Sequence, residues 1–252
     1  LINWKSLVTP TVGSIVGDFT ARLQELMPQD FLAAALYGSA SEGRMRTVSD
    51  VNIVYLFKSY KWDALDEVRD FYRQVHNAVE LNAMFILADE LVPVASAFPM
   101  KYLDIKTRHV MISGDDLLKD LKIPKARLHE HVEQSLLNAR IRMVNRYLLM
   151  SLRPEQFQLQ VAELASSLRA AAHALVFLQD GKLTSPRQSL EQIAAQADSA
   201  ARTLVGTLSE IREGRVQGVL PPRDLEAGVN ALISYMRKEN TRLGASAHKS
   251  EG

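Results

Sequence analysis

There is no cysteine among the 252 residues, which excludes disulfides and thiolate metal sites alike. Net charge is nearly absent too: 30 Lys and Arg against 29 Asp and Glu leave +1. Composition therefore gives no support for bulk nucleic-acid binding. No uninterrupted apolar run approaches the ~18 residues of a membrane span, and no signal-peptide pattern opens the chain. The first residue is Leu, so a trimmed start is expected; a cytoplasmic setting is the default. What is present is enough apolar material, 47% of residues, to build the core of one large domain or two small ones.

The most informative stretch is Leu36-Tyr37-Gly38-Ser39-Ala40-Ser41-Glu42-Gly43-Arg44, followed by Ser49-Asp50-Val51-Asn52-Ile53-Val54-Tyr55-Leu56. An apolar run from Phe31 to Tyr37 ends in a Gly-Ser turn, and Asp50 then opens a second apolar run that reads as a buried strand. This arrangement resembles the nucleotidyltransferase superfamily of the DNA polymerase beta type. The signature of that superfamily is a Gly-Ser turn, then two acidic residues two apart at the start of a strand. Here the second acidic position is Asn52.

The resemblance implies a nucleoside triphosphate as partner, Mg²⁺ as cofactor, and a small-molecule or protein hydroxyl as acceptor. Residues i and i+2 of a strand share a face, so Asp50 and Asn52 would look toward the same metal. The turn lets backbone approach a phosphate, with Gly38, Ser39 and Arg44 as nucleotide-binding candidates. Asn52 keeps an oxygen ligand but removes a charge that a two-ion site needs. A third carboxylate should come from a later strand, and the segment Val79 to Ile86 offers Glu80. Alternation there puts Leu81, Ala83 and Phe85 on one face and Glu80, Asn82 and Met84 on the other. The competing reading is that Glu80 ends the preceding helix and meets only water.

The pattern changes near Pro124. Before it, helical periodicity (about Thr11 to Met27, and Trp62 to Val79) alternates with the strands, and His109 to Gly114 reads as a further strand. After it the pattern is helical throughout. Four helices are expected: to about Leu152, from Pro154 to about Leu178, from Ser185-Pro186 to about Glu213, and from about Asp224 to Gly244, with a frayed tail from Ala245. The expected fold is α+β, a small mixed-sheet nucleotidyltransferase domain over residues 1–123 followed by an all-α helical bundle over 124–252. This layout is similar to kanamycin-nucleotidyltransferase-like proteins and to minimal nucleotidyltransferases with a helical partner domain.

Other side chains have two readings each. Arg44 and Arg46 either neutralise phosphate or are solvated. Arg142 and Arg146 either reach triphosphate oxygens or lie along the bundle seam. His129 with Glu133 has the i,i+4 spacing of a metal pair. Asp104 or His109 is either a general base or part of a latch. Three functions stay open: an active nucleotidyltransferase with a partly degenerate metal site, a nucleotide-binding regulatory protein, and an interaction protein that forms a homodimer through its helices.

Overall fold

The computed structural model describes residues 3–44, 50–212 and 218–250. Two compact units emerge from its contacts: Leu1–Ala97 with Ile105–Lys122, and Phe98–Asp104 with Ile123–Gly252.

The first unit is built on a four-stranded mixed sheet in the order β3-β2-β1-β4. Strands β1 (Phe31–Tyr37) and β2 (Val51–Phe57) pair antiparallel, β3 (Leu81–Leu87) joins β2 in parallel, and β4 (His109–Gly114) joins β1 antiparallel. The parallel pair requires a crossover, which is α2 (Trp62–Val79). Helix α1 (Pro10–Leu26) starts at a Thr9 cap with Pro10 in its first turn, the arrangement that satisfies one early N–H and wastes none on proline. Its stripe Val12, Val16, Phe19 and Leu23 is buried against Val51, Ile53, Tyr55 and Phe57 of β2. Two further helices, α3 (Leu91–Ala97) and α4 (Pro99–Thr107), lie between β3 and β4 in the chain.

Phe19 is central to this core, with ring centroids 5.8, 5.7 and 5.5 Å from those of Tyr55, Phe71 and Tyr72. The buried Tyr55 hydroxyl lies 3.2 Å from Thr20 Oγ1. Burial raises its pKa well above the usual tyrosine value, an effect that the Thr20 bond only partly opposes.

The second unit is helical: α5 (Lys125–Met150), α6 (Pro154–Ala162), α7 (Ala165–Asp180), α8 (Pro186–Gln196), α9 (Ser199–Arg212) and α10 (Pro222–Ser250). The middle of helix α7, Ala171 to Val176, is buried on every side, as a central helix must be. The expectation of four helices here is corrected to six among the described residues. The second expected helix breaks where Leu164 N–H bonds back to Val161, a tightened turn. The third breaks at Ala197, which is extended (ψ −172°). There the Asp198 carboxylate takes the Ala201 N–H at 2.9 Å and caps a new helix. The expected frayed tail is also corrected, because α10 runs on to Ser250.

One segment, Pro154–Asp180, reaches membrane-span length with a window of mean hydropathy 1.4, although no uninterrupted apolar run of that length occurs in it. It is α6 and α7 in succession, and 67% of that window is buried within the protein.

Candidate functional site

Gly38 leaves β1 with a left-handed backbone, φ +78°, and an added Cβ would meet only ordinary van der Waals contact. A side chain there would be strained by φ rather than crowded. Its N–H donates to the Arg108 carbonyl at 3.2 Å. The Ser41 hydroxyl lies 2.7 Å from the Gly38 carbonyl and 2.8 Å from that of Arg108. Ser39 starts a short 3-10 turn over Ala40–Glu42, and its carbonyl accepts from Glu42 and Arg44 N–H groups at 3.2 and 3.1 Å. The Arg108 guanidinium donates to Glu42 at 2.9 Å. The turn is thus fastened to the chain just before β4, and its shape is set without a ligand.

Asp50 is exposed and immediately precedes β2. Asn52, two residues on, is paired across β1 with Tyr37. A Cβ added to Gly38 would lie 3.8 Å from Asn52 Nδ2, so the Gly-Ser turn and the start of β2 are neighbours. Register extends this position across the whole sheet, giving one row of Asn82, Asn52, Tyr37 and His109. Residues directly opposite in a ladder share a face.

Glu80 precedes β3 and so does not continue the expected face of Glu80, Asn82 and Met84, although its carbonyl accepts the Val51 N–H at 3.3 Å. It ends α2 with φ 49° and ψ 45° and is exposed. Its left-handed backbone breaks the alternation before β3 begins. The residue beside Asn52 is Asn82, whose amide donates to Asn52 Oδ1 at 3.1 Å. Asn52 in turn donates to the Asp50 carbonyl at 3.2 Å. The sequence carried Asn82 on the right face, but only the parallel register shows that an amide, not a carboxylate, occupies this place.

Glu80→Gly should stabilise the protein by about 0.5–1 kcal/mol, because glycine adopts a left-handed backbone without the Cβ penalty. Nucleotide affinity should not change. Thermal melts and a nucleotide titration check both, and a fall in Mg²⁺-dependent affinity would return Glu80 to the metal site.

The donor set decides which ion fits. Asp50 supplies a carboxylate, while Asn52 and Asn82 supply neutral oxygens, that of Asn52 already accepting the Asn82 amide N–H. Among the described residues no three His, Asp or Glu cluster to hold a metal. A pair of divalent ions does not fit this set, whereas one Mg²⁺ arriving with phosphate oxygens and water does.

The remaining candidates fall into different environments. Arg44 is exposed; Arg46 lies outside the described residues. Both ring nitrogens of His109 face acceptors, Nδ1 the Ile105 carbonyl at 2.9 Å and Nε2 the Asp116 carboxylate at 3.0 Å. His109 and both of these partners belong to the first unit. Burial alone would raise the Asp116 carboxyl, but the His109 bond and charge, with the Lys119 and Leu118 N–H groups, hold it below the usual carboxylate value. Arg146 donates to the Gln160 carbonyl and to Glu163, tying α5 to the end of α6. Burial and the charge of Arg142 lower its pKa, against the Glu163 partner. His129 bonds Asn240 and Glu133 bonds Arg237, so the two do not act as a metal pair.

No family model matches the chain, and no curated protein does. Among solved structures it is similar to spectinomycin adenyltransferase AAD(9) from Enterococcus faecialis, crystallised with ATP and spectinomycin. The identity is 12%, the TM-score is 0.58, and the match covers 90% of this chain and 98% of that one. At that identity the likeness speaks for the architecture: this chain has a nucleotidyltransferase fold with a helical second part.

Proposed function

We propose that the chain binds a nucleoside triphosphate at the Gly38-Ser39 turn, and that it transfers a nucleoside monophosphate to a hydroxyl acceptor slowly or not at all. In this reading residues 1–123 are the nucleotidyltransferase domain and 124–252 a helical domain. The carrying observation is the turn itself, pre-shaped by Arg108, Ser41 and Glu42 and set against the start of β2. Backbone N–H groups of such a turn and the Ser39 hydroxyl suit phosphate oxygens, and Arg44 stands at its end to offset their charge. Asp50 would hold a single Mg²⁺, which when bound neutralises phosphate charge. Asn52 and Asn82 keep their mutual bond and position the start of β2 rather than bind an ion. The similar structure holds ATP and spectinomycin, which supports a triphosphate as the ligand class.

The amide pair favours a second reading, binding without transfer, as in a regulatory protein. Calorimetry with ATP, GTP, CTP and UTP, with and without Mg²⁺, tests the first step, and a labelled-triphosphate assay over hydroxyl acceptors tests the second. We expect binding of at least one triphosphate, strengthened by Mg²⁺, and little label transferred. An absence of binding by all four would overturn the proposal; rapid transfer would overturn its account of the metal site.

A further inference from the structure

Trp62 opens α2 with its side chain 70% exposed, and it lines a cavity of about 300 Å³ within the first unit. The floor is the fully buried Phe19 of α1. Half-buried Tyr60, Tyr72 and Phe85 form the walls, and the exposed Trp62 and Arg69 stand at the rim. The rings brace one another. Centroids of Tyr60 and Trp62 are 6.0 Å apart, those of Tyr72 and Phe85 5.6 Å, and those of Phe19 and Tyr72 5.5 Å. Walls held in this way need little further ordering when a ligand enters. Strand β3 ends the sheet, so no further strand closes the layer beside Phe85.

The chemistry of the lining selects the occupant. The Tyr60 hydroxyl donates to the Phe85 carbonyl at 3.0 Å, and the Arg69 guanidinium pairs with Asp66 one turn earlier on α2. That pair balances the one charge in the lining. The Tyr72 hydroxyl and the Trp62 indole N–H are the other polar side-chain groups, and both are neutral. A charged ligand would leave water and find no free counter-charge. Size narrows the class further. A cavity of ~150 Å³ takes one benzene ring, so this one has room for two fused rings, whose faces and edges suit walls of tyrosine, phenylalanine and tryptophan. We infer that the cavity is a binding site for a small, uncharged, two-ring aromatic molecule. A partner protein fits less well, because the surface of α2 around the rim carries exposed Asp63, Asp66, Asp70 and Arg73, whereas the centre of a protein interface is depleted of charge. Phe85 is paired with Tyr55, three residues on from the Asn82–Asn52 pair, which puts the cavity and the Asn82–Asn52 row on opposite faces of the sheet.

Indole is the probe, with indole-3-acetate and tryptamine as anionic and cationic counterparts, each titrated into the full chain by calorimetry. Indole should bind with a Kd on the order of 100 μM, and each charged analogue at least ~10-fold more weakly. ATP with Mg²⁺ should leave the indole affinity unchanged. Leu65 also lines the cavity, and Leu65→Trp should fill it, abolishing indole binding while the thermal melt stays cooperative. Trp62→Ala, at an exposed position, should weaken binding by about 10-fold and leave the circular dichroism as it is. The inference is overturned by no saturable binding of indole, by binding that survives both substitutions, by tighter binding of either charged analogue, or by displacement of indole with ATP.

Discussion

Asp50→Ala is expected to remove the Mg²⁺-dependent part of triphosphate binding, a loss of at least ~10-fold or ~1.4 kcal/mol. It immediately precedes β2, whose Asn52 lies beside the Gly-Ser turn, and Asn52 and Asn82 are amides bonded to each other. A triphosphate carries about −4 and each Mg²⁺ +2, so removing the last protein charge leaves the ion held by phosphate and water alone. Asn52→Asp is the converse. The two side chains have the same shape, and the Asn82 amide that now donates to Asn52 Oδ1 would donate equally well to a carboxylate. Mg²⁺-dependent affinity should rise by about 10-fold, with some loss of stability in the metal-free protein from two carboxylates side by side. Titrations of the wild type and both variants decide this, and Mg²⁺-dependent binding that survives Asp50→Ala would place the ion elsewhere.

The largest effect on stability is expected at Gly114, the last residue of β4. It pairs with Ala33 of β1 at φ +79°, and an added Cβ would lie 2.0 Å from the Leu32 carbonyl oxygen and 2.7 Å from Ala33 Cα. Both contacts are backbone, so no side chain can move aside. Gly114→Ala must displace an edge strand or break its pairing, at a cost of about 3–5 kcal/mol. For a chain of this size that is a fall in Tm of roughly 10 °C, read by circular dichroism. A change of less than about 2 °C would mean that β4 can shift freely, and that the His109–Asp116 strut at its other end is not what holds it.

The α+β fold was legible because each element announces itself locally. Phe31 to Tyr37 is a continuous apolar run, and α1 and α2 carry clear helical stripes. The helix breaks at Glu163 and Ala197 were not, because one depends on a single tightened turn and the other on a side chain of Asp198 competing for a backbone N–H. The Gly-Ser turn and the start of β2 could be placed side by side from sequence, since β1 and β2 are consecutive. Glu80 could not be placed. Which residue of β3 stands beside Asn52 depends on how a crossover of 18 helical residues delivers the next strand, and a shift of one position changes the answer. The aromatic cavity was hidden for another reason: its walls come from α1, α2 and β3, and only packing brings them together.

The Asn52–Asn82 bond has a consequence for the life of the chain before any ligand arrives. Carboxylates gathered at one end of a sheet repel one another until a cation joins them, so an unloaded protein carries a local charge defect in its framework. Two amides meeting as donor and acceptor carry none. The amide–amide bond itself asks for no divalent ion to offset charge at this end of the sheet.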